Sequence, residues 1–186
     1  WQGQKAYAHI IQDITEKKQR EQKLTAEAYH DSLTGIGNRY FLIEQMEKLL
    51  NSKRQLTFCY CDLDHLKYVN DTYGHLEGDW YICHFVHTMK KFIRKEDILA
   101  RIGGDEFVAL QAVASKQEAQ AKAEALVNIY HSAKRQGLCH YAISTSIGVA
   151  VTIHNLDNFD SLYHNADKAL YEAKENGKNQ YRMYEK

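Results

Sequence analysis

A chain of 186 residues suits one domain with an appendage. Its 24 basic and 24 acidic residues cancel, so the overall charge gives no indication of a protein that binds nucleic acid or a membrane surface. No apolar run approaches the roughly 20 residues that a membrane span needs. The four cysteines lack zinc-ligand or redox spacing, so they predict buried, reduced thiols in a cytosolic protein.

Residues 1–28 predict the end of an upstream domain followed by a linker helix. Tyr7 to Ile11 is strand-like, and Asp13 with Glu16 forms a capping-box pattern. The segment over residues 15–28 is charged and helix-prone, and its heptad pattern is interrupted. A solitary linker helix and a coiled-coil contact with a second copy therefore both stay open. The run from Gln12 to Lys18 resembles the junction where PAS sensor domains lead into an output domain.

Hydrophobic periodicity divides the remaining residues, 29–186, into alternating helices and strands. It predicts helices over residues 40–50, around 67–71, and over 79–93, 116–135 and 160–176, and strands over 56–62, 98–102, 106–112, 141–153 and 180–184. Gly177 fits the position just after a helix C-terminus. Hairpins mixed with crossover helices predict an α+β fold with a central, largely antiparallel sheet flanked by helices.

Acidic residues stand at two predicted strand ends. One strand runs into Asp62-Leu63-Asp64, and the turn Gly103-Gly104 leads into Asp105 and Glu106. The glycine pair predicts a tight hairpin, because glycine adopts positive φ without a Cβ clash. Each acidic end alone is also typical of a solvated turn. Together they favour a shared site for a hard divalent ion beside phosphate groups.

Two blocks carry a resemblance to a known family. Gly103-Gly104-Asp105-Glu106-Phe107 resembles the signature of the GGDEF family, the diguanylate cyclases, and the block from Asp62 to Asp79 resembles the family's second signature. The resemblance implies a ferredoxin-like, palm-type nucleotidyl cyclase fold over residues 29–186. It also implies that two GTP molecules become cyclic di-GMP and two pyrophosphates, with two protomers facing each other as a homodimer.

The same resemblance implies the catalytic and metal-binding residues. Mg²⁺, or Mn²⁺ in its place, would be held by the Asp62 carboxylate, the Leu63 carbonyl and the Asp105 carboxylate. Glu106 would be a second acid on the metal side. Asp105 would also be the base for the attacking hydroxyl, while Lys67 would offset charge on the triphosphate.

Asn70 and Asp79 suit the edge of guanine, because a carboxylate accepts from the N1–H and 2-amino donors that adenine lacks as a pair. Taken alone, either residue is more typical of a helix cap than of a guanine contact. The resemblance assigns both to guanine, and it places further residues at the nucleotide: His75, Lys67, Lys174, Lys178, Gly103 and Gly104. Lysines at a helix C-terminus also complement the helix dipole without any ligand.

Arg94 and Asp97 form an Arg-x-x-Asp pattern before the hairpin. The simplest interpretation is a surface ion pair that contributes under about 1 kcal/mol. By resemblance the pair would bind cyclic di-GMP in an inhibitory product site, with help from Arg101. Cys83, His84 and His87 share one helix without a partner pair, which favours a surface helix over a metal site.

The resemblance leaves two alternatives to a cyclase: a catalytically silent receptor for cyclic di-GMP and a GTP-binding regulatory domain. Loss of Asp62, Asp105 or Glu106 would indicate the receptor, and all three are present. We therefore expect an enzyme whose partners are GTP, cyclic di-GMP and a second copy, without nucleic acid or membrane contact in this segment. The expected location is the bacterial cytoplasm, as part of a longer soluble or membrane-tethered sensor.

Overall fold

The computed structural model describes residues 14–20, 28–51, 55–113, 115–131, 141–152 and 158–185. The strands are β1 (Leu56–Leu63), β2 (Ile98–Arg101), β3 (Glu106–Ala112), β4 (Thr145–Val151) and β5 (Tyr181–Met183). The helices are α1 (residues 14–20), α2 (Arg39–Leu50), α3 (Leu66–Tyr73), α4 (His75–Met89), α5 (Lys116–His131) and α6 (Phe159–Glu175).

The strands form one sheet in the order β2-β3-β1-β4-β5. The pairs β2–β3, β3–β1 and β1–β4 are antiparallel, and β4–β5 is parallel. The predicted α+β class and the largely antiparallel sheet are therefore confirmed.

Strand β1 lies at the centre of the sheet, and all eight of its residues are buried. Successive side chains of a strand point to opposite faces, so a strand covered on both sides reads as a continuous apolar run. Cys59 and Cys61 point into one core, and Phe58 and Tyr60 point into the other. The two cysteines are free thiols, as the sequence predicts.

Each face of the sheet is covered by helices. One core packs α4 and α5 against the sheet, with the rings of Phe85 and Phe107 4.7 Å apart between centroids. The other core packs α2 and α6 on the opposite face. At Gly148 of β4, an added methyl group would overlap the backbone of α6 at Ala166 and Leu170. This glycine therefore lets α6 approach the sheet closely.

Three predicted boundaries are wrong. Helix α4 ends at Met89 rather than residue 93. Helix α4 begins at His75 rather than Asp79, because Gly74 (φ 90°) ends α3 and its carbonyl accepts from the Gly78 amide of the next helix. Strand β4 begins at Thr145 rather than residue 141. The Ser144 amide donates to the Tyr81 hydroxyl at 3.0 Å and so does not join the sheet ladder there.

Some predictions fall outside the described residues. These are the strand-like segment over residues 7–11, the cap at Asp13, part of the linker helix and the predicted end of α5 at residue 135. Residues 14–20 of the linker are helical, as predicted. Within the described ranges, no helix has both the length and the apolar character needed to cross a membrane.

Candidate active site

The two acidic strand ends meet at one end of the sheet. In the β1–β3 register, Asp62 lies opposite Glu106. The Leu63 amide donates to the Asp105 carbonyl at 3.1 Å, which continues the pairing past the strand end. Sheet pairing thus brings all four predicted metal-binding residues together.

Asp62 is a buried carboxylate that lies near two other carboxylates, those of Asp105 and Asp64. Its side chain is 10% exposed. Burial raises its pKa to about 6, and the nearby Asp105 and Asp64 add to the rise. The Lys174 ammonium, 2.7 Å from Asp62 Oδ2, acts in the opposite direction. The site already offsets part of its charge with a cation from α6.

Gly103 and Gly104 were predicted to allow a tight hairpin through positive φ angles, and the structure shows a different role. Among the described glycines, positive φ occurs at Gly35, Gly74 and Gly177 and not at this pair, so the predicted reason is wrong. At Gly103 the reason is space: a methyl group there would overlap Oε2 of Glu106. The glycine therefore lets the Glu106 carboxylate lie against the backbone.

Arg101 holds the hairpin to the entry segment of the domain. Its guanidinium donates to the Gly104 carbonyl at 2.7 Å and lies 3.2 Å from Asp31. Burial tends to raise the pKa of Asp31, but hydrogen bonds from Thr34 and the charge of Arg101 outweigh it and lower the pKa. The Arg101 side chain is only 14% exposed, so it is engaged within the fold.

A cavity of about 450 Å³ opens beside Asp62. Six predicted site residues line it: Asp62, Leu63, Lys67, Asp105, Lys174 and Lys178. Helix α3 starts at this cavity after His65, whose side chain makes no capping hydrogen bond and whose φ is 64°. A helix N-terminus and three lysines are suited to a polyanion, and the four carboxylates of the same lining would bind a cation beside it: Asp62, Asp64, Asp71 and Asp105.

The second acid of the Asp-x-Asp motif has a structural role. Asp64 is 2% exposed and accepts from the Ser144 and Ser146 hydroxyls, each at 2.7 Å. It also accepts from the Asn179 amide at 3.0 Å. Its carboxylate lines the same cavity as Asp62, and its hydrogen bonds hold it in place there. It also fixes the turn that carries Lys178, where Lys178 (φ 61°) and Asn179 (φ 48°) are both left-handed.

Asn70 and Asp79 lie on the paired helices α3 and α4. Each is the fifth residue of its helix and half-buried, so the capping interpretation is wrong for both. The Asn70 amide packs against Gly78, where a methyl group would overlap its Oδ1. Asn70 thus lies next to the residue that precedes Asp79. His75 begins α4 and is exposed.

Arg94 and Asp97 are neighbours without an ion pair between their side chains. Asp97 Oδ2 accepts from the backbone amide of Arg94 and from the Gln111 side chain, both at 2.8 Å. The Arg94 guanidinium is 57% exposed and lies 3.7 Å from Glu118. The predicted inhibitory pair therefore consists of a fixed carboxylate and an exposed cation.

Residues 28–180 match the family model described as "Diguanylate cyclase, GGDEF domain". The chain belongs to the GGDEF family. Diguanylate cyclase DgcM of Escherichia coli K12 is 36% identical over 182 residues, which are 95% of this chain and 43% of DgcM. Cyclic di-GMP phosphodiesterase PdeR of the same strain is 32% identical over 174 residues, 92% of this chain and 26% of PdeR.

A crystal structure of the coiled coil and GGDEF domain of DgcB from Caulobacter crescentus, in complex with c-di-GMP, superposes with a TM-score of 0.85. It is 23% identical in sequence and covers 95% of this chain and 96% of the DgcB chain. This similarity confirms the predicted cyclase-type fold. The chain spans less than half the length of both curated relatives, and their names differ in activity.

The donor set of this GGDEF domain fits Mg²⁺. Mg²⁺ prefers oxygen ligands and is commonly bound through one or two carboxylates together with substrate phosphates. Asp62 supplies a buried carboxylate already paired with a cation, and Asp105 lines the same cavity. Among the described residues, no three His, Cys, Asp or Glu side chains form a ready metal cage. Phosphate oxygens and water would therefore have to complete the coordination.

Sequence analysis missed the hydroxyl groups around the acids of this GGDEF domain. Tyr60 donates to Glu106 Oε1 at 2.7 Å, and the Tyr163 hydroxyl lies 3.0 Å from the Tyr60 hydroxyl. Tyr60 stands two residues before Asp62, so its position on the same face of β1 was available from the strand period. Ser144, Ser146 and Tyr163 come from distant parts of the chain, and nothing in their local sequence marks them.

Proposed function

We propose that this GGDEF domain is a diguanylate cyclase, which condenses two GTP molecules into cyclic di-GMP and two pyrophosphates. The observation that carries the proposal is the pairing of β1 with β3, which sets Asp62 and Glu106 opposite each other beside a lysine-lined cavity. Phosphoryl transfer needs mainly positioning and charge stabilisation, and this arrangement can supply both.

Asp62, the Leu63 carbonyl and Asp105 would hold Mg²⁺, or Mn²⁺ in its place, with Glu106 as a further acid on the metal side. The bound ion would polarise the α-phosphate and favour ionisation of the attacking 3′-hydroxyl. Asp105 would accept the proton of that hydroxyl. Lys174 contacts Asp62 now, and it would turn to the triphosphate once another cation neutralises Asp62.

The remaining proposed contacts surround the nucleotide. Asn70 and Asp79 would read the guanine edge, with Gly78 leaving room for the Asn70 amide. Lys67 and Lys178 would hold phosphates at the cavity that they line. His75 and the backbone at Gly103 and Gly104 would complete the substrate contacts.

Cyclic di-GMP has two guanosines, and the proposed contacts in one chain hold one GTP. Two copies would therefore have to face each other as a homodimer, with residues 1–28 as the linker from a PAS-type sensor. The product would bind at Arg94 and Asp97 and inhibit the enzyme. Arg101, named with them from the sequence, would have to leave Asp31 to contribute. The whole protein would act in the bacterial cytoplasm.

A silent receptor for cyclic di-GMP is the second candidate. The exposed Arg94 guanidinium beside the fixed Asp97 carboxylate favours product binding whether or not the domain turns over. The intact acids favour the cyclase. A GTP-binding regulatory domain would bind GTP without forming product.

The test is incubation of the chain with GTP and Mg²⁺, with nucleotides separated by chromatography. We expect cyclic di-GMP from GTP and none from ATP. Asp105→Asn should remove product formation and leave the thermal unfolding transition of the fold in place. A copy fused to a dimeric coiled coil controls for a chain that does not dimerise. No product from the fused copy, or normal turnover in Asp105→Asn, would contradict the proposal.

A further inference from the structure

We infer that Tyr60 is a positioning residue that holds the Glu106 carboxylate in the orientation needed for a metal ion, with Tyr163 holding Tyr60 in turn. The inference rests on the proposed function, because it concerns the same metal site. It assigns a role to two hydroxyl groups that touch neither the cavity lining nor the proposed nucleotide contacts.

The ring of Tyr60 is held by packing that does not involve Glu106. It is 2% exposed in the central strand, and its ring packs 5.0 Å from the ring of Tyr163 on α6. In the β1–β3 register Tyr60 lies opposite Val108, and Glu106 lies diagonally across on the same face. The hydroxyl of this buried ring thus lies at the end of the sheet, 2.7 Å from Glu106 Oε1.

The direction of these hydrogen bonds follows from the chemistry of the groups. An ionised carboxylate can only accept, so Tyr60 donates its proton to Glu106. Tyr163, 3.0 Å away, can donate to the free lone pair of Tyr60.

The other carboxylate oxygen of Glu106 is also confined. Oε2 lies so close to Gly103 that a methyl group there would overlap it. The carboxylate is thus held between a hydroxyl on one side and a glycine Cα on the other. Tyr60 is the donor that the described residues show for Oε1, so without its hydroxyl the carboxylate is freer to rotate. Loss of such outer hydrogen bonds commonly weakens metal binding by about 10–100-fold.

The test measures Mn²⁺ binding by electron paramagnetic resonance, in the presence of a GTP analogue that cannot react. Tyr60→Phe removes only the hydroxyl, and we expect Mn²⁺ to bind about 10-fold more weakly or worse. Tyr163→Phe should weaken binding by a smaller factor, because the Tyr60–Glu106 bond remains. Tyr171→Phe is the matched control, since Tyr171 is a 65% exposed tyrosine on the same helix as Tyr163.

A double-mutant cycle separates positioning from packing. In a Glu106→Gln background, Tyr60→Phe should cause little further loss of Mn²⁺ affinity, because the carboxylate it positions is gone. Equal losses in both backgrounds would overturn the inference, as would unchanged Mn²⁺ binding in Tyr60→Phe. If Tyr60→Phe does not fold, unchanged binding in Tyr163→Phe would overturn the role of the hydroxyl pair.

The outcome is independent of turnover. A wild-type chain that forms no cyclic di-GMP, but whose Mn²⁺ affinity depends on Tyr60, would contradict the proposed function and support the inference. A wild-type chain that makes cyclic di-GMP, but whose Mn²⁺ affinity does not depend on Tyr60, would support the proposed function and contradict the inference. Absence of Mn²⁺ binding in the wild-type chain would overturn the inference.

Discussion

Asp62 faces two opposing demands. As the proposed metal ligand, Asp62 would have to be ionised, whereas burial disfavours the charged carboxylate and raises its pKa to about 6. The strand that ends in Asp-x-Asp predicted Asp62 as a ligand only together with the second acidic strand end at Asp105 and Glu106. The ion pair of Asp62 with Lys174 was not predictable, because the two residues are more than 100 positions apart and meet only when α6 packs on the sheet.

Metal binding should depend on pH near 6. Protons compete with the ion for Asp62, so the rise in melting temperature caused by Mg²⁺ should shrink as pH falls from 8 through 6. Asp62→Asn should abolish the rise, and the exposed Asp167→Asn should keep it. A metal effect of equal size at pH 5 and pH 8 would contradict the assignment of Asp62.

The same pKa sets the stability of the metal-free chain. The folded-state pKa of Asp62 lies above the value of 3.8 for an unperturbed group, so the folded state keeps a proton that the unfolded state has lost between these values. The contribution of Asp62 to the free energy of unfolding should therefore fall by about 2 kcal/mol as pH rises from 4 to 6. The free energies of unfolding of wild type and Asp62→Asn, measured with urea across this range, should converge at pH 4.

Asp97 is held by two hydrogen bonds, whereas the Arg94 guanidinium is exposed. Arg94→Ala should raise the cyclic di-GMP concentration needed for half-inhibition by about tenfold or more, because a hydrogen bond to a charged group contributes about 1.5–3 kcal/mol. Initial rates measured before product accumulates should stay near those of wild type. The neighbouring exposed Lys95→Ala is the control. Unchanged inhibition in Arg94→Ala would rule out the site.

At the level of elements, apolar runs located the strands and periodicity located the helices. The errors came from interactions between elements. Helix α4 begins directly after Gly74, four residues before the predicted start, and the Tyr81 hydroxyl accepts from the Ser144 amide that would otherwise have lengthened β4. Likewise, Gly103 has an ordinary φ and leaves room for the Glu106 carboxylate, and only the assembled hairpin shows that contact.

Gly148 gives an element-scale prediction. Gly148→Ala would place a methyl group against the α6 backbone, and a backbone cannot rotate away as a side chain can. Overpacking a core typically costs about 1–3 kcal/mol, and we expect the upper end of that range. Gly104→Ala is the control in urea unfolding, because its added methyl meets nothing within 4 Å. Equal stability of the two variants would contradict close α6–β4 packing.

At the level of the whole molecule, the fold class and the ends of β1 and β3 as the candidate site were predictable from sequence. Two motifs at strand ends lie close together when their strands are neighbours, and β1 and β3 are paired in the sheet. The joining role of Asp64 was not predictable. Its partners Ser144 and Asn179 are 80 and 115 residues away along the chain.

A cyclase that needs two copies should show a rate per protein molecule that rises with protein concentration. At low concentration most chains would be monomers with one GTP each, and dilution should lower the specific rate of product formation. A copy fused to a dimeric coiled coil should lose this dependence. Its Asp105→Asn form serves as the inactive control. A constant specific rate from chains that sediment as monomers would contradict the homodimer.

The hydrogen bonds of Asp64 also bear on how the protein is made. One carboxylate joins the end of β1, the start of β4 and the turn at Asn179, three segments that emerge from the ribosome at different times. Contacts of such long sequence separation form slowly and late in folding. A nascent chain therefore cannot complete the cavity beside Asp62 until residue 179 has been synthesised. Under the proposed function, binding of GTP would then report that these three segments have come together.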